Sequence, residues 1–278
     1  MKEKTMIAHK QIRILLPTFL NLFFYRHYLK KCIKNNVSMA ERYPTVQRRL
    51  NHIIKTYSHI VYFEEGNENR PDTQCVYTPN HTSMLDPVVM VDQAKRPLGF
   101  VTKKENYKLP KLIDLGMDFV RNVPLDRDNV RSAIKSFQQV DKILEENPDM
   151  DYCIFPEGTR SYPAEFELGE FHHGSFKIAT RRNLPIVPVV IYGTERAFDP
   201  HFHYHKYPVQ IAYLKPIPPE EYEDLSTVEI AEMVKGRIDE KLKEFKAKDK
   251  DLIQTLNHYS DKKLAKKLAY PEGEKKRY

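Results

Sequence analysis

Residues 186–192, Ile-Val-Pro-Val-Val-Ile-Tyr, are apolar at every position. A strand with one face in water alternates polar and apolar residues. A run without alternation needs cover on both faces, which a sheet flanked by helices provides. The chain supplies those helices. Strand-like segments at 61–64, 74–78, 98–102, 119–123, 151–155 and 209–214 alternate with helical patterns at 85–93, 107–115, 130–146, 175–182 and 228–246. The pattern at 130–146 is the clearest. Ile134, Phe137, Val140, Ile143 and Leu144 share one face, Asn129 or Asp128 can cap its start, and Asn147 and Pro148 end it. Alternation of this kind predicts an α/β domain with a central, mostly parallel or mixed sheet.

The first 60 residues differ from this body. Ile12, Leu15, Leu16, Phe19, Leu22 and Phe23 recur at helical spacing, and Arg26, Lys30, Lys31 and Lys34 follow directly. Pro17 is expected to kink this helix or to begin its second part. A second helix is expected at 40–57, with Val46, Leu50, Ile53, Ile54 and Tyr57 as its apolar side and Arg42, Arg48, Arg49 and Lys55 as its polar side. The uncharged run at 14–25 is too short to cross a bilayer, which takes about 20 apolar residues. No small-residue cleavage site of a signal peptide follows it. Twelve Lys/Arg face only Glu3 and Glu41 in residues 1–60, and seven face three acids in 261–278. Since the whole chain carries +7, the middle carries −7. A basic, apolar N-terminus on an acidic body fits an anionic membrane surface better than nucleic acid. The expected division is a two-helix membrane-association segment at 1–60, an α/β domain at 61–247 and a polar, Lys-rich tail at 248–278. Three widely separated cysteines, Cys32, Cys75 and Cys153, form no CxxC pair and fit a reducing compartment.

Three segments carry chemistry. Asn80-His81-Thr82-Ser83-Met84-Leu85-Asp86 links a strand to an apolar helix. Helical positions five apart point about 140° away from each other, so His81 and Asp86 meet only across a turn. With Thr82 or Ser83 as the N-cap, Asp86 falls in the first turn and its carboxylate reaches back to the imidazole, giving an oriented base. A plain hydrophilic turn with a first-turn acid fits the same residues. Phe155-Pro156-Glu157-Gly158-Thr159-Arg160 follows an apolar strand, where open α/β sheets build ligand sites. Gly158 admits close backbone approach, Arg160 offers a fork suited to phosphate, and Glu157 holds that fork or orders the loop. Lys103 and Lys104, together with Asp126 and Arg127, follow two further strands and would make a cationic funnel, unless they are simply solvated.

These blocks, together with the later Val-Pro-Val-Val-Ile-Tyr-Gly, resemble the ordered motifs of the phospholipid/glycerol acyltransferase superfamily. The closest similarity is to 1-acyl-sn-glycerol-3-phosphate acyltransferases, over residues 75–220. The resemblance implies a glycerol-3-phosphate acyltransferase-like fold. It implies His81 as general base and Asp86 as its orienting partner. It also implies that Lys103 or Lys104, Arg127 and Arg160 contact the acceptor's phosphate, and that Glu157 and Gly158 shape the same pocket. The expected reaction moves an acyl chain from acyl carrier protein or coenzyme A to lysophosphatidate, with no acyl-enzyme, cofactor or metal. The expected location is the inner face of the cell membrane, peripherally bound from the cytoplasm. Another acceptor, such as glycerol 3-phosphate or a different lysophospholipid, and a non-catalytic lipid-binding role are the alternatives. One departure is the long segment at 161–170 before His172, His173 and Gly174, which puts less fixed charge at that point. His201, His203 and His205 alternate as metal ligands can, without an acidic or Cys partner nearby in sequence.

Overall fold

The computed structural model describes residues 2–108, 111–126, 129–161, 167–198 and 202–268. Its centre is a seven-stranded sheet. In chain order the strands are β1 (Ile60–Glu65), β2 (Val76–Pro79), β3 (Leu98–Lys103), β4 (Val123–Leu125), β5 (Asp151–Cys153), β6 (Ile186–Tyr192) and β7 (Tyr207–Tyr213). Their order across the sheet is β1-β7-β6-β2-β5-β3-β4. Every pairing is parallel except β6 with β7, where Ile191 faces Ile211. Each residue of β6 is buried, as its unbroken apolar run requires. The strand β2 lies at the middle. Strands β5, β3 and β4 lie to one side of it and β6, β7 and β1 to the other. The crevice outside the carboxyl end of such a strand is where open α/β sheets bind ligands.

The helices are α1 (Lys2–Lys34), α2 (Met39–Ile53), α3 (Asp86–Gln93), α4 (Lys111–Phe119), α5 (Val130–Glu146), α6 (Lys177–Arg182), α7 (Thr227–Asn257) and α8 (Asp261–Leu268). Helix α5 has the expected bounds, and the Asn129 side chain caps it by accepting from Ser132 N at 3.0 Å. A reciprocal capping box, Ser226 with Glu229, starts α7.

Several boundaries and exposures differ from expectation. The strand expected at 119–123 begins at Val123. Phe119 instead ends α4, fully buried against α1 and α2, and Arg121 adopts a left-handed φ of 57° that turns the chain into the strand. The segment after 246 is helical through Asn257 and again in α8. Ile253 is buried there, and Asn257 bonds the Lys206 backbone N–H at 2.8 Å and its carbonyl at 3.0 Å. Arg42, expected on a polar helix face, is only 1% exposed. Its Nε lies 3.1 Å from Met39 Sδ and its guanidinium 4.8 Å from the Phe119 ring centroid. Burial, with Arg121 nearby, lowers its pKa to about 10. Helix α1 runs unbroken through Pro17, and the Thr18 hydroxyl donates to the Ile14 carbonyl at 2.8 Å.

Ile14, Leu29 and Cys32 of α1 are buried, whereas Ile12, Leu15, Leu16, Phe19, Leu20, Phe23 and Phe24 are exposed, Phe24 to 71%. No helix among the described residues is long and apolar enough to cross a membrane.

Candidate active site

The site forms where the chain leaves β2. Asn80 replaces the next rungs of the ladder with its side chain. Its Nδ2 donates to Ile191 O at 2.9 Å and its Oδ1 accepts from Ile191 N at 2.8 Å. This side-chain pairing anchors the following loop to β6.

His81 and Asp86 meet across the turn. Nδ1 of His81 lies 2.9 Å from Oδ2 of Asp86. The imidazole is 18% exposed and the carboxylate 0%. Neither Thr82 nor Ser83 caps α3 with its side chain, contrary to expectation. Instead the helix begins at Asp86, whose Oδ2 also accepts from Thr82 N at 2.6 Å and Ser83 N at 2.7 Å. The other oxygen, Oδ1, accepts the hydroxyl of Thr194. Both oxygens of the buried carboxylate are engaged as acceptors. The carboxylate therefore fixes the tautomer with hydrogen on Nδ1 and leaves Nε2 with its lone pair. Among the described residues Nε2 has no hydrogen-bond partner. The ring packs on Phe155 with centroids 4.3 Å apart, and Phe155 stacks in turn on Phe100 of β3 at 6.5 Å. The three rings tie together loops from β2 and β5 and strand β3.

Glu157 joins the two main loops. Its Oε1 accepts from His81 N at 2.7 Å and its Oε2 from Gly169 N at 2.8 Å. Ser161 N donates to His81 O at 2.8 Å, so the histidine backbone is held on both sides. Burial raises the Glu157 pKa, while the backbone N–H groups of His81 and Gly169 oppose the rise. Gly158 has a φ of 61°, the left-handed region that favours glycine, and closes a tight turn by donating to Phe155 O at 3.0 Å. Arg160 is exposed, two residues beyond this turn. Among the described residues it has no hydrogen-bond or ion-pair partner.

Lys103 ends β3 and is exposed, while Lys104 pairs with Asp126 at 2.6 Å. Arg127 and His201 lie outside the described residues. His173 Nδ1 lies 3.3 Å from Thr227 Oγ1 at the start of α7. Among the described residues no three His, Cys, Asp or Glu side chains are grouped to hold a metal. The Cys153 thiol is buried and its pKa pushed well up, first by burial and then by the charge of Asp86. It stays a thiol and is not a ready nucleophile.

Asn80, Phe155 and Thr194 are functional neighbours that sequence patterns did not single out. Thr194 stands just after the apolar run and Gly193, which is the only signal that pointed toward it.

A histidine held through Nδ1 by a buried aspartate at the carboxyl end of a central parallel strand, beside a glycine turn and an exposed arginine, makes a candidate group-transfer site on an α/β sheet. Residues 25–192 match the model of the acyltransferase family, and the chain belongs to that family. A probable 1-acyl-sn-glycerol-3-phosphate acyltransferase of Mycoplasma pneumoniae is 28% identical over 225 residues, 72% of this chain and 80% of that protein. A 1-acyl-sn-glycerol-3-phosphate acyltransferase of Chlamydomonas reinhardtii is 34% identical over 131 residues, 46% of this chain and 38% of that protein. The crystal structure of the 1-acyl-sn-glycerophosphate acyltransferase PlsC of Thermotoga maritima shares the fold, with a TM-score of 0.69 at 19% identity. The match covers 88% of this chain and 98% of that one.

Proposed function

We propose that this acyltransferase moves an acyl chain from an acyl thioester, carried by acyl carrier protein or coenzyme A, to the sn-2 hydroxyl of lysophosphatidate. The product is phosphatidate. The observation that carries the reading is the pairing of His81 Nδ1 with the buried Asp86 at 2.9 Å, which leaves Nε2 available as a base. Nε2 takes the proton of the acceptor hydroxyl. The acceptor oxygen adds to the thioester carbonyl and forms a tetrahedral oxyanion. Its collapse breaks the carbon–sulfur bond, and the thiolate takes the proton back from the imidazolium. No acyl-enzyme intervenes.

Arg160 and Lys103, both exposed and neither in an ion pair among the described residues, are the cations that meet the acceptor's phosphate, with Arg127 as a third. Lys104 is held by Asp126 and supports the site less directly. Glu157 and Gly158 shape the pocket through the backbone.

The exposed apolar side of α1 seats the protein peripherally on an anionic membrane, on the cytoplasmic face, where acceptor and acyl chain reside. Phe19→Ser with Phe23→Ser is expected to weaken binding to vesicles of anionic phospholipid, and unchanged binding would refute the seating.

The test of function is thiol release from an acyl thioester with lysophosphatidate, glycerol 3-phosphate or no acceptor, beside His81→Ala. Release that needs lysophosphatidate and His81 supports the proposal. Release with another acceptor changes the substrate, and none at all favours a lipid-binding role.

A further inference from the structure

Asp86 is supplied unevenly. Three donors, His81 Nδ1, Thr82 N and Ser83 N, converge on Oδ2. All three belong to the loop immediately before it. Among the described residues, Oδ1 is bonded from the other side of the site alone, by the hydroxyl of Thr194. Rotation about the last torsion of an aspartate is soft and roughly two-fold. Donors on one oxygen fix where that oxygen sits, but the plane of the carboxylate needs a second anchor. Thr194 supplies it.

Thr194 is placed for this purpose by the backbone. It follows Gly193, whose φ of 96° is left-handed. A Cβ at Gly193 would stand 2.5 Å from Pro208 O, so only glycine fits this turn. The turn ends β6 and directs residue 194 back toward the end of β2, the neighbouring strand. Thr194 is fully buried. Its hydroxyl proton is committed to the carboxylate, so its oxygen is free to accept. Thr82 Oγ1 lies 3.3 Å away and is the donor. The relay runs from Thr82 to Thr194 to Asp86, and so from the first motif loop through β6 and back.

We infer that Thr194 is a positioning residue of the active site: its hydroxyl clamps Oδ1 of Asp86 and thereby keeps Oδ2 aimed at Nδ1 of His81. It acts through Asp86 and does no chemistry itself. The inference rests on the proposal that His81 is the base, and its consequence is specific. Loss of the hydroxyl leaves the fold and the substrate pocket in place but loosens the imidazole.

The test compares Thr194→Val and Thr194→Ser in the full-length protein. Urea midpoints confirm folding, and Thr194→Ala provides the same deletion should valine not fit. Thr194→Val is expected to lower kcat on the order of tenfold to a hundredfold, the range for partners that orient a functional side chain. KM for donor and acceptor should stay within about twofold, because no binding contact is removed. Thr194→Ser should restore kcat to within about threefold of the parent. A kcat unchanged in Thr194→Val overturns the inference. So does equal impairment of Val and Ser, or a rise in KM at constant kcat. Proton NMR separates this inference from the proposal beneath it. The downfield Nδ1–H resonance, assigned by its loss in His81→Ala, should shift or broaden in Thr194→Val and return in Thr194→Ser. An unshifted resonance refutes the clamp even if His81 proves essential. A shifted resonance in a protein whose His81→Ala variant remains active keeps the clamp and refutes the base.

Discussion

Asp151→Asn should change the pH dependence of stability without touching catalysis. Asp151 opens β5 at its amino-terminal end, opposite the carboxyl end that carries the loop to Glu157, so the strand separates it from the site. It is 1% exposed. Its Oδ1 accepts from Cys75 N at 3.1 Å and lies 3.3 Å from Arg96 Nε, while Oδ2 has no hydrogen-bond partner among the described residues. Burial outweighs these helpers and raises the carboxyl from 3.8 to about 7. A carboxyl raised in the folded state favours folding most when both states are protonated. That benefit shrinks as pH rises through the unfolded value and is gone above the folded one, about 7. At about 1.4 kcal/mol per tenfold, the full loss is about 4 kcal/mol, and the part between pH 5 and pH 8 is roughly 2–3 kcal/mol. The buried Glu195 also titrates near 7. The parent's slope therefore contains both groups, and only the difference between parent and variant isolates Asp151. Urea unfolding followed by circular dichroism at pH 5, 6, 7 and 8 measures it. The stability of Asp151→Asn relative to the parent should rise by about 2–3 kcal/mol across that range, with thiol release unchanged at pH 7. Parallel curves for parent and variant would show that Asp151 ionises normally and that burial does not dominate there.

Three further substitutions separate structural roles from binding roles. Glu157→Gln can accept one backbone N–H but presents its amide to the other, orphaning a buried donor at a cost of about 1–3 kcal/mol. The urea midpoint and kcat should both fall; an acceptor KM that rises at unchanged stability would mean instead that Glu157 serves the ligand. Asp249→Asn breaks the two-pronged pair with Arg196, both contacts 2.7 Å, and should cost about 3–5 kcal/mol by denaturant titration. A loss below about 1 kcal/mol would show that Arg196 finds another partner, Glu195 being nearest at 3.5 Å. Arg160→Ala should raise the acceptor KM roughly tenfold to a hundredfold at unchanged stability, as removal of a charge-assisted bond to phosphate predicts. An unchanged KM would remove Arg160 from that role.

Which residues meet at the site was only partly legible in the sequence. His81 and Asp86 are five residues apart, and one turn's geometry decides whether they touch. Helix periodicity rules out a meeting across a regular helix and leaves a turn, in which the two side chains either meet or do not; in the structure they meet. Glu157 and Thr194 are different. Their partners lie 76 and 108 residues away, and the contacts exist because β2 sits between β5 and β6. Strand order is a property of the assembled sheet, and hydrophobic periodicity carries no trace of it. The same limit explains the lysines. Both stand where a strand ends, and only the position of Asp126 just after β4 pairs Lys104 and leaves Lys103 open.

Two of the differences share a physical cause, a polar group buried by a specific partner. Composition marks 247–257 as solvated, yet Asp249 is buried because Arg196 needs an anion, and Asn257 because the 206 backbone needs a donor and an acceptor. Arg42 reads as a solvated charge, yet a sulfur and an aromatic face take it out of water. Apolar exposure on α1 runs in the opposite direction. The Phe and Leu residues of α1 have the spacing of a core helix but face outward, because α2 and α4 cover only its other side. Burial of charge and exposure of hydrocarbon both run against the average preference of those residues. Each therefore marks a place where a particular partner, within the protein or outside it, determines the structure. Within the fold that partner is Asp249 or Phe119; for α1 it is the proposed bilayer.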